Sequence, residues 1–114
     1  MDKITAHHNI VQALVEEIGG IATPSFKDIE TQIIIDKKKG HYILMSVGWN
    51  NRQWHYGSFV HIDVKPDGKV WIQHDGTDLS IAKELIKRGI PQQDIVLGFK
   101  SPIEREWVEG FAVA

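Results

Sequence analysis

The chain has 114 residues, enough for a single domain over 1–114 with a modest core. It contains no cysteine, which excludes disulfides and thiolate metal sites, and its net charge of −2 argues against unaided binding to nucleic acid, which needs clustered phosphate-neutralising charge. No apolar run approaches the roughly 18 residues of a membrane span, and the opening MDKITAHH has no signal-sequence pattern, so a cytoplasmic protein with no membrane contact is expected.

Residues 3–18 carry Ile4, Val11, Leu14, Val15 and Ile18 at helical spacing, with Asp2 placed to cap the start and Gly19-Gly20 to end it. Residues 21–27, which include Thr23-Pro24-Ser25, read as a connector. Ile29, Thr31, Ile33 and Ile35 alternate with Glu30, Gln32 and Ile34, the period of a strand. A polar turn at 36–40 leads into a second strand over 41–49, and Asn50-Asn51-Arg52-Gln53 turns into a third that starts at Trp54. In Lys65-Pro66-Asp67-Gly68-Lys69, Pro66 presets the first turn position and Gly68 accepts a left-handed one. Residues 54–64 and 69–74 therefore form a hairpin with a bulged three-residue loop.

Symmetric closure of these loops pairs Ile35 with His41, Ile33 with Ile43, Met45 with Ser58 and Ile43 with Val60. It also pairs Val64 with Val70, Ile62 with Ile72 and Val60 with His74. One face then collects Ile29, Ile33, Ile35, Ile43, Met45, Val47, Val60, Ile62, Val64, Val70 and Ile72. A second helix spans 78–88 behind a Thr77 cap, buries Leu79, Ala82, Leu85 and Ile86, and ends in a Schellman motif at Gly89-Ile90 before Pro91. Residues 94–99 read as a short edge strand, 101–106 as a helical turn and 110–114 as a docked apolar tail. The expected fold is α+β: a four-stranded antiparallel meander, with the N-terminal helix and the helix after the sheet packed on one face, and a short C-terminal segment.

Six histidines among acidic neighbours raise the question of a metal site. His61 and Asp63 are two apart on one strand and share a face, as two ligands of zinc or manganese would. The inferred registers set His74 on the opposite face beside Val60, and His55 lies about 20 Å along the strand at about 3.3 Å per residue. Tyr42 and Gln73 become the cross-strand neighbours of His61. With no third ligand in reach, a hydrogen-bonded sheet histidine is the expectation, with no cofactor and no catalytic residues, and a metal-dependent hydrolase or nuclease using His61 and Asp63 is the runner-up. A His–Asp–Ser80 triad is available on paper, but no G-x-S-x-G elbow is present and Ser80 is better placed as a helix-start residue. Lys37, Lys38 and Lys39 are the candidates for weak contact with a phosphate backbone, against the commoner role of a solvated turn.

The sheet face away from the aliphatic core is expected to show Ile34, Tyr42, Leu44, Phe59, His61 and Trp71 among polar residues. A solvated face is normally mostly polar, so Tyr42, Leu44, Phe59, His61 and Trp71 are the candidate interface, with the segment 99–114 as the competing cover for the same face.

From Gly48 onward the sequence resembles the XisI family, the fdxN element excision controlling factors of filamentous cyanobacteria. The residues that carry the resemblance are Gly48-Trp49, His61-Ile62-Asp63, Lys69-Val70-Trp71-Ile72-Gln73, Asp75-Gly76-Thr77 and Ile81-Ala82-x-Glu84-Leu85. Gly89-Ile90-Pro91, Asp94-Ile95-Val96-Leu97-Gly98-Phe99 and the closing Phe111-Ala112-Val113-Ala114 follow in order. The tail departs from the family pattern Arg-x-Tyr-Thr, reading Arg105-Glu106-Trp107-Val108. The resemblance implies an accessory to programmed DNA excision, not an enzyme, that contacts an XisH-like companion protein or a site-specific recombinase and touches DNA weakly or indirectly. Self-association as a homodimer and direct DNA binding as a module are the other readings, and the resemblance supplies no catalytic residues.

Overall fold

The computed structural model describes residues 2–21 and 28–114; the expected connector falls largely outside them. The chain runs α1 (Lys3–Ile21), β1 (Ile29–Asp36), β2 (His41–Asn50), β3 (Gln53–Val64), β4 (Val70–Asp75), α2 (Ile81–Lys87), β5 (Ile95–Leu97) and α3 (Pro102–Trp107), with a 3-10 turn at Gln92–Asp94. The strands form one sheet in the order β1-β2-β3-β4-β5, in which β5 lies parallel to β4. The α+β class is as expected, but the sheet is mixed and five-stranded. The segment read as a short edge strand is one: β5 returns through α2 to the edge of the sheet beside β4, because a parallel neighbour needs a crossover connection.

Asp2 caps α1, its carboxylate accepting from the Thr5 amide at 2.8 Å. The helix does not stop at Gly19-Gly20 but continues to Ile21. A Cβ on Gly19 would stand 2.8 Å from Ile33 and 3.0 Å from Leu44, so this glycine lets the helix approach the sheet closely. Val11, Leu14, Val15 and Ile18 form its buried stripe, joined by His7, whose Nδ1–H donates to the Gly68 carbonyl at 2.9 Å and ties α1 to the β3–β4 turn.

The β3–β4 hairpin keeps the expected pairs Val64–Val70 and Ile62–Ile72. Two other features change the faces. The β1–β2 loop has four residues, 37–40, so Asp36 pairs with His41 and Ile35 with Tyr42. Gly40 closes it at φ 79°, and Asp36 Oδ1 accepts from the Lys39 amide at 3.0 Å. A β-bulge then inserts Phe59 as an extra residue: Met45 pairs with Ser58 as expected, but Leu44, not Ile43, faces Val60. A second bulge at Gln73 puts Val60 opposite Asp75 and His61 opposite His74.

Tyr42 and Leu44 are consequently core residues with no exposed surface, packed with Val60, Ile62, Val64, Val70 and Ile72 under α1 and α2. Ile43, Met45 and Val47, expected in the core, are only half-buried. Alternation along β2 turns them outward.

The second helix is shorter than expected. Ser80, not Thr77, is its N-cap, while Thr77 bonds back to Asp75, whose other oxygen accepts from the Ile81 amide at 3.0 Å. Ile81 and Leu85 are its buried residues; Leu79 and Ile86 are exposed. The Schellman ending is present, with Gly89 at φ 114° and the Ile90 amide donating to the Leu85 carbonyl at 3.0 Å. A capping box between Ser101 and Glu104 starts α3, and the tail docks through the Ala112 amide on the Ile95 carbonyl at 2.9 Å. No helix among the described residues is long and apolar enough to cross a membrane.

Candidate functional site

On the outer sheet face the β2–β3 register, shifted by the bulge at Phe59, brings His41 directly opposite Asp63, two residues along β3 from His61. His41 Nδ1 lies 2.7 Å and His61 Nε2 2.9 Å from the same oxygen, Asp63 Oδ1. A carboxylate only accepts, so both nitrogens carry their protons toward it. The second oxygen takes the Gln73 amide at 3.2 Å, with Lys65 Nζ 4.0 Å away. The Asp63 side chain is 8% exposed, against 43% for His41 and 30% for His61, so a sunken carboxylate lies beneath two solvent-facing rings. Burial pushes the Asp63 carboxyl up, but hydrogen bonds from His41 and Gln73 and the charge of His61 outweigh it and hold it below the usual carboxylate range.

The sequence expectation that His61 and Asp63 lack a third ligand-type neighbour is therefore corrected. The missing residue is His41, which the expected pairing of Ile43 with Val60 had turned toward the core. Gly40 was the available signal for the β1–β2 loop alone, because a glycine in the left-handed conformation after a polar run suits a four-residue loop. His74, although paired with His61, is exposed and outside the cluster. Ser80 is committed to capping α2.

The expected interface divides. Tyr42 and Leu44 are buried under the helices and unavailable to a partner. Phe59, turned inward by its bulge, packs against the same core. His61 and Trp71 do lie on the outer face. Trp71, half-buried, has the Arg105 guanidinium 5.0 Å from its ring centre, and its neighbour Val96, fully buried, bridges to Ala112. The C-terminal segment thus covers the β4–β5 side of this face. Lys37, Lys38 and Lys39 form an exposed turn.

The uncovered part continues along β2 and β3 to the hairpin tip. Trp49 and Trp54 are cross-strand partners with ring centres 5.4 Å apart, and Trp54 stacks on Tyr56 at 6.3 Å and 13°. All three are exposed. The interface expected from the sequence lies toward the strand centres, whereas these aromatics flank the β2–β3 turn. Their symmetric flanking of the Asn50-Asn51-Arg52-Gln53 turn was the legible sign.

The family described as XisI protein matches residues 1–113. No curated protein matches the chain. Among solved structures, a XisI-like protein from Anabaena variabilis is 35% identical, with a TM-score of 0.90 over 97% of this chain and 99% of that one. The fdxN element excision controlling factor XisI from the same organism is 29% identical, with a TM-score of 0.86 over 99% of this chain and all of that one.

Proposed function

Because this chain belongs to the XisI family, we propose that it is a cytoplasmic, non-catalytic accessory in the control of DNA excision, working by contact with another protein of that machinery. The observation that carries this reading is the aromatic tip of the β2–β3 hairpin. Trp49, Trp54 and Tyr56 stand exposed and stacked on one another, and tryptophan and tyrosine are the residues that dominate protein–protein hot spots. With a net charge of −2, a protein partner suits this surface better than a phosphate backbone. The partner proposed is an XisH-like companion factor.

The test is a binding titration of the purified chain against that companion. Trp54→Ala, made on an exposed ring, is expected to weaken binding by about 2 kcal/mol or more while the denaturant midpoint stays put. Unchanged affinity in Trp54→Ala and in a Trp49→Ala/Trp54→Ala double variant would move the contact elsewhere. Sub-micromolar, sequence-selective binding to element-border DNA would replace the reading with direct DNA recognition through Lys37, Lys38 and Lys39.

A further inference from the structure

We propose that His41, His61 and Asp63 form a binding site for a divalent transition ion of the zinc class. The donor set is two imidazoles and one carboxylate, which suits zinc and its neighbours and does not suit calcium or magnesium, whose shells are built from oxygen. The three donor atoms lie within 4.8 Å of one another. Their backbone positions are fixed by the sheet. His61 and Asp63 share a face of β3 two residues apart, and His41 is fixed opposite Asp63 by the ladder.

The present contacts are those of a hydrogen-bonded cluster that an ion can enter with little rearrangement. Donors bonded tetrahedrally to zinc at about 2.0–2.2 Å stand roughly 3.3 Å from each other. The nitrogen–oxygen separations of 2.7 and 2.9 Å must widen by about half an ångström and the two ring nitrogens, within 4.8 Å of each other, must draw together, movements for which rotation of the two part-exposed rings is available. Each imidazole must also present a lone pair where it now carries a proton. That proton passes to the other ring nitrogen, or to solvent where the ring is charged.

The surroundings support the carboxylate from behind. The Gln73 amide holds the second oxygen of Asp63, the outer hydrogen bond that keeps a ligand carboxylate aimed. Lys65 opposes the ion electrostatically, but its side chain is 43% exposed and free to swing into water. Three protein donors on an open face leave the remaining position to water or to a donor atom of a partner.

The test uses the full chain without a histidine tag, stripped by chelator and titrated with zinc chloride in a calorimeter. Visible absorption of the cobalt-loaded protein provides a second readout. The expected result is saturable uptake of one ion per chain, weakened about tenfold or more in His41→Ala and in His61→Gln, both checked for native circular dichroism. His74→Ala, at an exposed histidine outside the cluster, is expected to bind as the unmodified chain does. No saturable uptake, uptake that survives His41→Ala and His61→Gln, or equal weakening by His74→Ala overturns the site.

Discussion

Tyr42 on β2 and His8 on α1 meet hydroxyl to Nδ1 at 2.6 Å, a polar contact at the edge of a buried ring. The ring carries most of the stability and the hydroxyl little. Tyr42→Phe is expected to cost about 1 kcal/mol, and Tyr42→Ala roughly 3–5 kcal/mol, read from denaturant midpoints.

The same contact makes a pH prediction. Desolvation, then the charge of Lys37, lowers the His8 pKa below its ordinary 6.5. The folded state therefore favours neutral His8, and the unfolded chain takes the proton first. This contribution is complete above pH 6.5 and is lost as pH falls through the lower folded value. Between pH 8 and pH 5 the unmodified chain should lose more stability than His8→Gln. Parallel curves would count against the assignment.

Gly19 and Gly20 are neighbours in α1 with opposite surroundings. A Cβ at Gly20 meets nothing within 4 Å, whereas one at Gly19 runs into Ile33 and Leu44. Gly20→Ala should gain about 0.5–1 kcal/mol from helix propensity. Gly19→Ala should fall short of it by about 1 kcal/mol or more, as the same gain is spent on overpacking. Equal midpoints would mean that the helix does not sit against β1 and β2 as described.

Phe59 and Trp54 separate core from surface on one strand. Phe59→Ala is expected to lower stability by about 3 kcal/mol without changing partner affinity of the folded protein, since its ring packs under the sheet. Trp54→Ala should do the reverse. The paired measurement is midpoint and affinity for each variant.

Asp63→Asn, in chelator-treated buffer, places an amide where two imidazole N–H groups and the Gln73 amide now converge. One oxygen becomes a donor facing donors, at an expected cost of about 1–3 kcal/mol by thermal or chemical denaturation.

How far the sequence could be read is clearest on β2. The β3–β4 hairpin was legible because Pro66 and Gly68 dictate its turn, and Val64–Val70 and Ile62–Ile72 follow. On β2, one loop residue too many and one unforeseen bulge each shifted a register by one. The two shifts cancel for β1, so Ile35 still packs against the core as expected. They do not cancel for β2 itself, where Tyr42 and Leu44 exchange faces with Ile43 and Met45. A single displaced residue reverses every side chain on a strand, which is why the hydrophobic pattern of IleLeuMet at 43–45 could not choose a face. The error hid His41 from Asp63 and promoted two core residues to an interface. The exchange of Thr77 for Ser80 as the α2 cap has a different origin: Asp75, by binding Thr77 and the Ile81 amide, delays the helix start.

The parallel β4–β5 pair sets an order of assembly. β1 to β4 are joined by tight turns, so their contacts close short loops and form early, whereas β5 must wait for α2 and the turn after it to be laid down. The tail comes later still, since the Ala112 amide needs the Ile95 carbonyl already in place. In native-state hydrogen exchange the Ala112 amide should open by local detachment, well before the amides of the β2–β3 ladder, which exchange only when the whole domain unfolds.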